Sequence, residues 1–171
     1  MKKSKRKLSL ALGLMGIFYL LNGCWYYSFK GATIPPSVRT VSIAYIENKA
    51  LLVNPSLSNI LTEKLKDKYR KMTRLEFIDE EGDFSFEGEI TNYDNTTMGY
   101  TSDEVGALNR LTITVKIYFK SIEQNKSFER SFSKYADYSS ERSLDEVEAD
   151  LVDQITDDLI EDIFNATAAD W

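Results

Sequence analysis

Two observations predict an α+β domain in which two helices pack on one face of a four- to five-stranded mixed sheet. Two stretches, 57–72 and 144–163, carry apolar residues at three- and four-residue steps, as amphipathic helices do. Between them, residues 110–120 alternate apolar and polar side chains without interruption, the pattern of a strand with one buried face. Helices with one apolar stripe need a surface to cover, and the apolar sides of the strands supply it.

The chain opens with Lys2, Lys3, Lys5, Arg6 and Lys7 and no acid, followed by an apolar run over 8–21. This is the charged start and apolar core of a secretory signal, and the run is shorter than the roughly 20 residues a spanning helix needs. Leu21-Asn22-Gly23-Cys24 then resembles a lipobox, with Asn22 a departure from the small residue usual at that place. Cys24 is the only cysteine, and the chain has no histidine, so neither a disulfide nor an ordinary zinc set can use it. The expectation is a lipoprotein signal peptide over 1–23, acyl chains on Cys24, a lipidated tether over 24–37 and a single domain over 38–171.

Loss of residues 1–23 would remove five of 21 basic residues and none of 27 acids, leaving a formal charge of −11. Such a surface disfavours nucleic acid, whose binding needs a basic stripe.

Residues 38–46 alternate, which predicts a strand with Val41, Ile43 and Tyr45 on one face. Asn54-Pro55 supplies an N-cap and a first-turn proline for the helix striped by Leu57, Leu61, Leu65, Tyr69 and Met72, whose other side is basic. A brief strand follows over 75–78, then a turn at Glu80-Glu81-Gly82-Asp83 and a strand in which Phe84, Phe86 and Ile90 share a face. The long strand buries Leu111, Ile113, Val115, Ile117 and Phe119, and a turn at Gln124-Asn125-Lys126 leads into its partner over 128–138. Residues 95–109 read as a long polar loop between these strands, with Tyr100 and Val105 its candidate partner-contact positions. Ser143-Leu144-Asp145-Glu146 is a capping box, and Leu144, Val147, Leu151, Ile155, Leu159 and Ile163 stripe the last helix.

Catalysis has little to work with. Histidine and a free thiol are missing, no serine sits in a nucleophile elbow, and the glycines build no phosphate loop. No catalytic residue, cofactor or metal site is assigned. Asp157, Asp158, Glu161 and Asp162 read as a solvated helix face, with a divalent-cation site as the sharper alternative. Arg110, Lys116 and Lys120 fall on one strand face of an otherwise acidic chain. Ordinary solubility accounts for them, and so does a local site for the phosphates of an anionic glycolipid.

The segments YSFKGATIPPSVRTVSIAYIENKALLVNPSLSNILTEKLKDKY, FEGEI, ALNRLTITVKIYF, FSKYADYSS and DIFNATAADW together resemble the LptE family of lipopolysaccharide-assembly lipoproteins, in its Bacteroidetes form. The most specific piece is IPPSVRTVSI followed by LVNPSL and the helix. The resemblance implies a lipid-anchored outer-membrane protein, two helices on a four-stranded sheet, and a place as a plug in the lumen of the β-barrel translocon LptD. There it would help the barrel assemble and bind lipopolysaccharide, from the periplasmic side or the lumen. The alternative is a periplasm-facing scaffold lipoprotein that binds another envelope protein and no glycolipid.

Overall fold

The computed structural model describes residues 34–98, 107–123 and 125–169. Cys24, Tyr100, Val105 and Gln124 of the expected turn lie outside them. The elements in order are β1 (Thr40–Ile43), β2 (Glu47–Asn48), α1 (Leu57–Met72), β3 (Glu76–Phe77), β4 (Phe84–Met98), β5 (Leu108–Ser121), β6 (Lys126–Ser139) and α2 (Leu144–Phe164), closed by a π turn at Asn165–Ala169. The strands form one mixed sheet in the order β3-β1-β4-β5-β6, with β2 beside β4. β1 is parallel to β3 and β4, whereas β4, β5 and β6 are antiparallel neighbours.

The apolar stripes meet where the pattern requires. Leu57, Leu61, Leu65 and Tyr69 of α1, and Val147, Leu151, Ile155, Leu159 and Ile163 of α2, are buried in one cluster with Phe84, Phe86, Leu111, Ile113, Val115, Ile117 and Phe119 of the sheet. Tyr69 sits at its centre. Its ring stands edge-on to Phe86 and Phe164 at 5.1 and 5.2 Å, and its hydroxyl shares a 2.6 Å hydrogen bond with that of Thr167. Burial raises the Tyr69 pKa, so the phenol stays neutral. The π turn therefore serves the core: it places Thr167, itself fully buried and bonded to the Ile163 carbonyl, against α1.

Several local expectations shift. Tyr45 is exposed and Ile46 is buried in its stead, because β1 ends at Ile43 and the alternation of faces stops with it. Met72 lies at the solvent end of its stripe. The helix begins at Leu57, since Asn54 is spent on a preceding turn: its side-chain oxygen accepts the Ser56 N–H at 2.9 Å and its carbonyl the Leu57 N–H at 3.2 Å. The capping box of α2 forms as expected, with Glu146 accepting from the Ser143 N–H at 3.2 Å. The polar loop is shorter than its composition implies, because β4 runs to Met98 and β5 starts at Leu108. Asn95, Thr96 and Thr97 are thus paired strand residues.

A β-bulge lies between Ile90 and Asn92, where Thr91 has no opposite residue. It reverses the parity of β4. Phe84, Phe86 and Ile90 face the helices before it, and Tyr93 faces them after it.

The link from β3 to β4 must cross β1, and it does so on the helix-free face. Gly82 lies so close over β1 that a Cβ there would meet the Ser42 nitrogen at 3.0 Å and the Val41 carbonyl carbon at 3.1 Å. Asp83, next in line, accepts the Arg39 N–H at 2.8 Å and the Thr40 N–H and hydroxyl at 3.0 Å each. Those bonds, led by the Arg39 N–H, lower its pKa.

Between the helices, the basic side of α1 meets the acidic side of α2. Lys64 bonds Asp153 and Asp157 at 2.6 Å, Lys68 pairs with Glu161, and Lys134 of β6 reaches Asp162 at 2.8 Å. Burial pulls the Lys64 pKa down, yet its two carboxylates outweigh this and leave it raised. The acids read as a solvated face are therefore partly spent on the helix pair. Being largely exposed, each pair contributes about 0.2–1 kcal/mol.

Candidate functional site

Because both helices cover one side of the sheet, the other side is left as a polar surface. Its residues follow from strand parity and register. Across β4, β5 and β6 the rows are Ser85-Lys120-Ser127, Glu87-Tyr118-Glu129 and Glu89-Lys116-Ser131, and farther along Asp94-Thr112-Tyr135 and Thr96-Arg110-Asp137. Arg110, Lys116 and Lys120 thus do share one face. They do not converge: at about 3.4 Å per residue, ten positions along a strand separate Arg110 from Lys120 by roughly 34 Å.

Each of the three cations also has a carboxylate partner. Arg110 makes a two-pronged contact with Asp137, directly opposite, at 2.6 and 2.8 Å, and its guanidinium lies 3.6 Å from the centre of the Tyr135 ring. Lys116 pairs with Glu129 at 2.5 Å and sits 5.2 Å from the centre of the Tyr118 ring. Lys120 pairs with Glu81 of the crossing link. The hydrogen bond to Asp137 raises the Arg110 pKa, that to Glu129 raises the Lys116 pKa, and the Arg110 contact lowers the Asp137 pKa. An anion arriving here must exchange with a carboxylate already in place.

The crossing link, 78–81, stands as a wall beside this face and encloses a groove of about 1150 Å³. It is lined by Ser42, Ser85, Tyr118, Lys120 and Ser127 of this face, with Glu87 and Glu129 on either side of Tyr118 in register, and also by Lys66 and Arg70 of α1. Sequence reading found Tyr118 and Lys120 through the alternation of β5. It missed Glu87 and Glu129, whose position beside Tyr118 depends on the pairing register of three strands. Among the described residues no group of side chains could hold a metal ion, and no helix is long and apolar enough to cross a membrane.

A family model described as LptE, lipopolysaccharide-assembly, matches residues 38–167. Nothing among curated proteins matches the chain. Among solved structures, rare lipoprotein B from Shewanella oneidensis is similar at 12% identity and a TM-score of 0.50, covering 74% of this chain and 89% of that one. A Xanthomonas campestris protein is similar at 10% identity and a TM-score of 0.51, over 77% and 87%. At these identities the likeness is one of fold, and it agrees with two helices on one side of a mixed sheet.

Proposed function

Since this chain belongs to the LptE, lipopolysaccharide-assembly, family over residues 38–167, we propose that it is a non-catalytic outer-membrane lipoprotein that plugs an LptD-like β-barrel, helps it assemble, and binds lipopolysaccharide on its way to the surface. The observation that carries this reading is the helix-free sheet face, a polar surface three long strands wide with no element of the described chain covering it. Large outer-membrane barrels have polar lumens, so a plug of this kind meets a wall of matching chemistry. On this reading Cys24 carries the acyl chains, several of which anchor firmly at about 0.8 kcal/mol per buried CH₂. On this reading Arg110, Lys116 and Lys120 meet glycolipid phosphates only by exchanging the carboxylates that pair them in the folded chain. A net charge of −11 over 24–171 repels anionic lipid as a whole, so contact must be local and oriented by a partner.

The test places photo-crosslinkers at Tyr100 and Val105, in the connection between β4 and β5, and asks what is trapped in cells and retained in native detergent. An outer-membrane barrel is the expected product. A protein that reaches the outer membrane but traps no barrel from either position overturns the plug and favours the scaffold alternative.

Mass spectrometry of the mature N-terminus tests the anchor separately. The expected species starts at an acylated Cys24, and Cys24→Ala is expected to leave uncleaved precursor outside the outer-membrane fraction. An unmodified terminus at any other residue overturns that assignment.

A further inference from the structure

The groove beside the crossing link has the wrong charge for phosphate. Three cations line it, Lys66, Arg70 and Lys120, against five carboxylates from Asp79, Glu80, Glu81, Glu87 and Glu129. All three cations are already paired, with Glu63, Asp67 and Glu81 respectively. The Glu87 carboxylate, by contrast, has no ion pair or hydrogen bond among the described residues. An anion entering the groove therefore meets an excess of like charge, which costs energy at short range.

What remains open suits a different chemistry. Tyr118 is an exposed aromatic side chain with the Lys116 ammonium 5.2 Å from its ring centre, and it is flanked in register by Glu87 on β4 and Glu129 on β6. Neighbouring strands set the Cβ atoms of such partners about 5 Å apart, so Glu87 and Glu129 leave their strands on opposite sides of Tyr118. Glu129 bonds Lys116, but a carboxylate has about four acceptor sites and keeps capacity for more. Lys116 itself is not part of the groove wall, whereas Lys120 is, so the groove opens on the Lys120 side of Tyr118. Ser127, opposite Lys120, adds a hydroxyl that can donate or accept. A flat, weakly polar ring between hydrogen-bond acceptors matches a neutral sugar, which has an apolar face of C–H groups and a rim of hydroxyl donors. The volume is ample for one or more sugar rings, since pockets of 300–1,000 Å³ hold drug-sized ligands.

We propose that this groove holds the saccharide portion of the lipopolysaccharide, with Tyr118 stacked on a sugar ring and Glu87 and Glu129 accepting bonds from its hydroxyls. The assignment rests on the lipopolysaccharide reading above and adds which part of the molecule is held, and where. The test is calorimetric titration of the mature lipoprotein in detergent with oligosaccharide from the source bacterium's lipopolysaccharide, freed of acyl chains and phosphate. Saturable binding is expected. Tyr118→Ala and Glu87→Ala should each weaken it by about tenfold, with melting unchanged because both side chains face solvent. Inorganic phosphate should not compete, and maltoheptaose should bind more weakly.

Absence of saturable binding, wild-type affinity in both variants, competition by phosphate, or equal affinity for maltoheptaose overturns the proposal. Capture of intact lipopolysaccharide and co-purification of a barrel, measured on the same preparations, separate the two levels. If both persist while the oligosaccharide does not bind, the groove assignment fails and the proposed function stands. If wild-type protein shows neither, the proposed function fails and the groove assignment goes with it.

Discussion

Replacing Tyr69 by Ala is expected to lower stability by about 3–5 kcal/mol, the range for deleting a large aromatic side chain from a core. Tyr69 is fully buried, meets Phe86 and Phe164 edge-on, and joins α1 to the C-terminal π turn through Thr167. Its removal leaves a cavity where both helices and the sheet meet. Against a typical total of about 5–15 kcal/mol, such a loss brings the domain close to unfolding. Tyr69→Phe separates packing from polarity. The Thr167 hydroxyl keeps its bond to the Ile163 carbonyl at 2.6 Å, so the Phe variant should lose only about 1 kcal/mol. Urea unfolding of the two variants checks both values. An Ala variant within 1 kcal/mol of wild type would mean that the ring cluster does not hold the helices to the sheet.

Asp83→Asn is expected to cost about 2 kcal/mol at neutral pH, in line with hydrogen bonds to a charged acceptor. The carboxylate gathers two backbone N–H groups and the Thr40 hydroxyl at the start of β1, and so fixes the link that crosses β1 to begin β4. The sign of the pH effect follows from the lowered pKa. Bonding from the Arg39 N–H, then from Thr40, holds the folded carboxyl below its unfolded value of about 3.9. Its contribution is complete above the unfolded pKa and disappears as pH falls through the folded one. The stability gap between wild type and Asp83→Asn should therefore be flat from pH 7 to about 5 and shrink below about 4. A gap that persists unchanged at pH 2 would assign the effect to shape and not to the charge.

Much of the architecture was legible because helix stripes and strand alternation are local properties. Leu57, Leu61, Leu65 and Tyr69, and the five inward residues of β5 from Leu111 to Phe119, can be assigned to faces by counting alone, and all of them are buried. The boundaries were less so. Asn54 has the chemistry of a helix cap and of a turn, and the choice between them depended on where the chain came from. The bulge at Thr91 was hidden because a strand that changes face still looks apolar at Phe86, Ile90 and Tyr93, and only pairing with β5 reveals the extra residue.

The candidate site divides in the same way. Alternation along β5 assigns Arg110, Lys116, Tyr118 and Lys120 to one side of the strand, since a pleated strand sends alternate side chains to opposite faces. The one cysteine and the charge balance of the first residues likewise carry the expectation of a lipid anchor. What the side chains of β5 meet depends on how distant segments pack. Asp137 opposite Arg110, Glu129 beside Lys116 and Glu81 against Lys120 come from separate segments, as does Asp153 to Lys64 across 89 positions. Charge partners across a sheet or between helices are set by register and packing, which are properties of two segments at once. No periodicity within either segment records them, and that is why a face that reads as basic along one strand is, in the folded protein, a row of neutralised pairs beside an acidic groove.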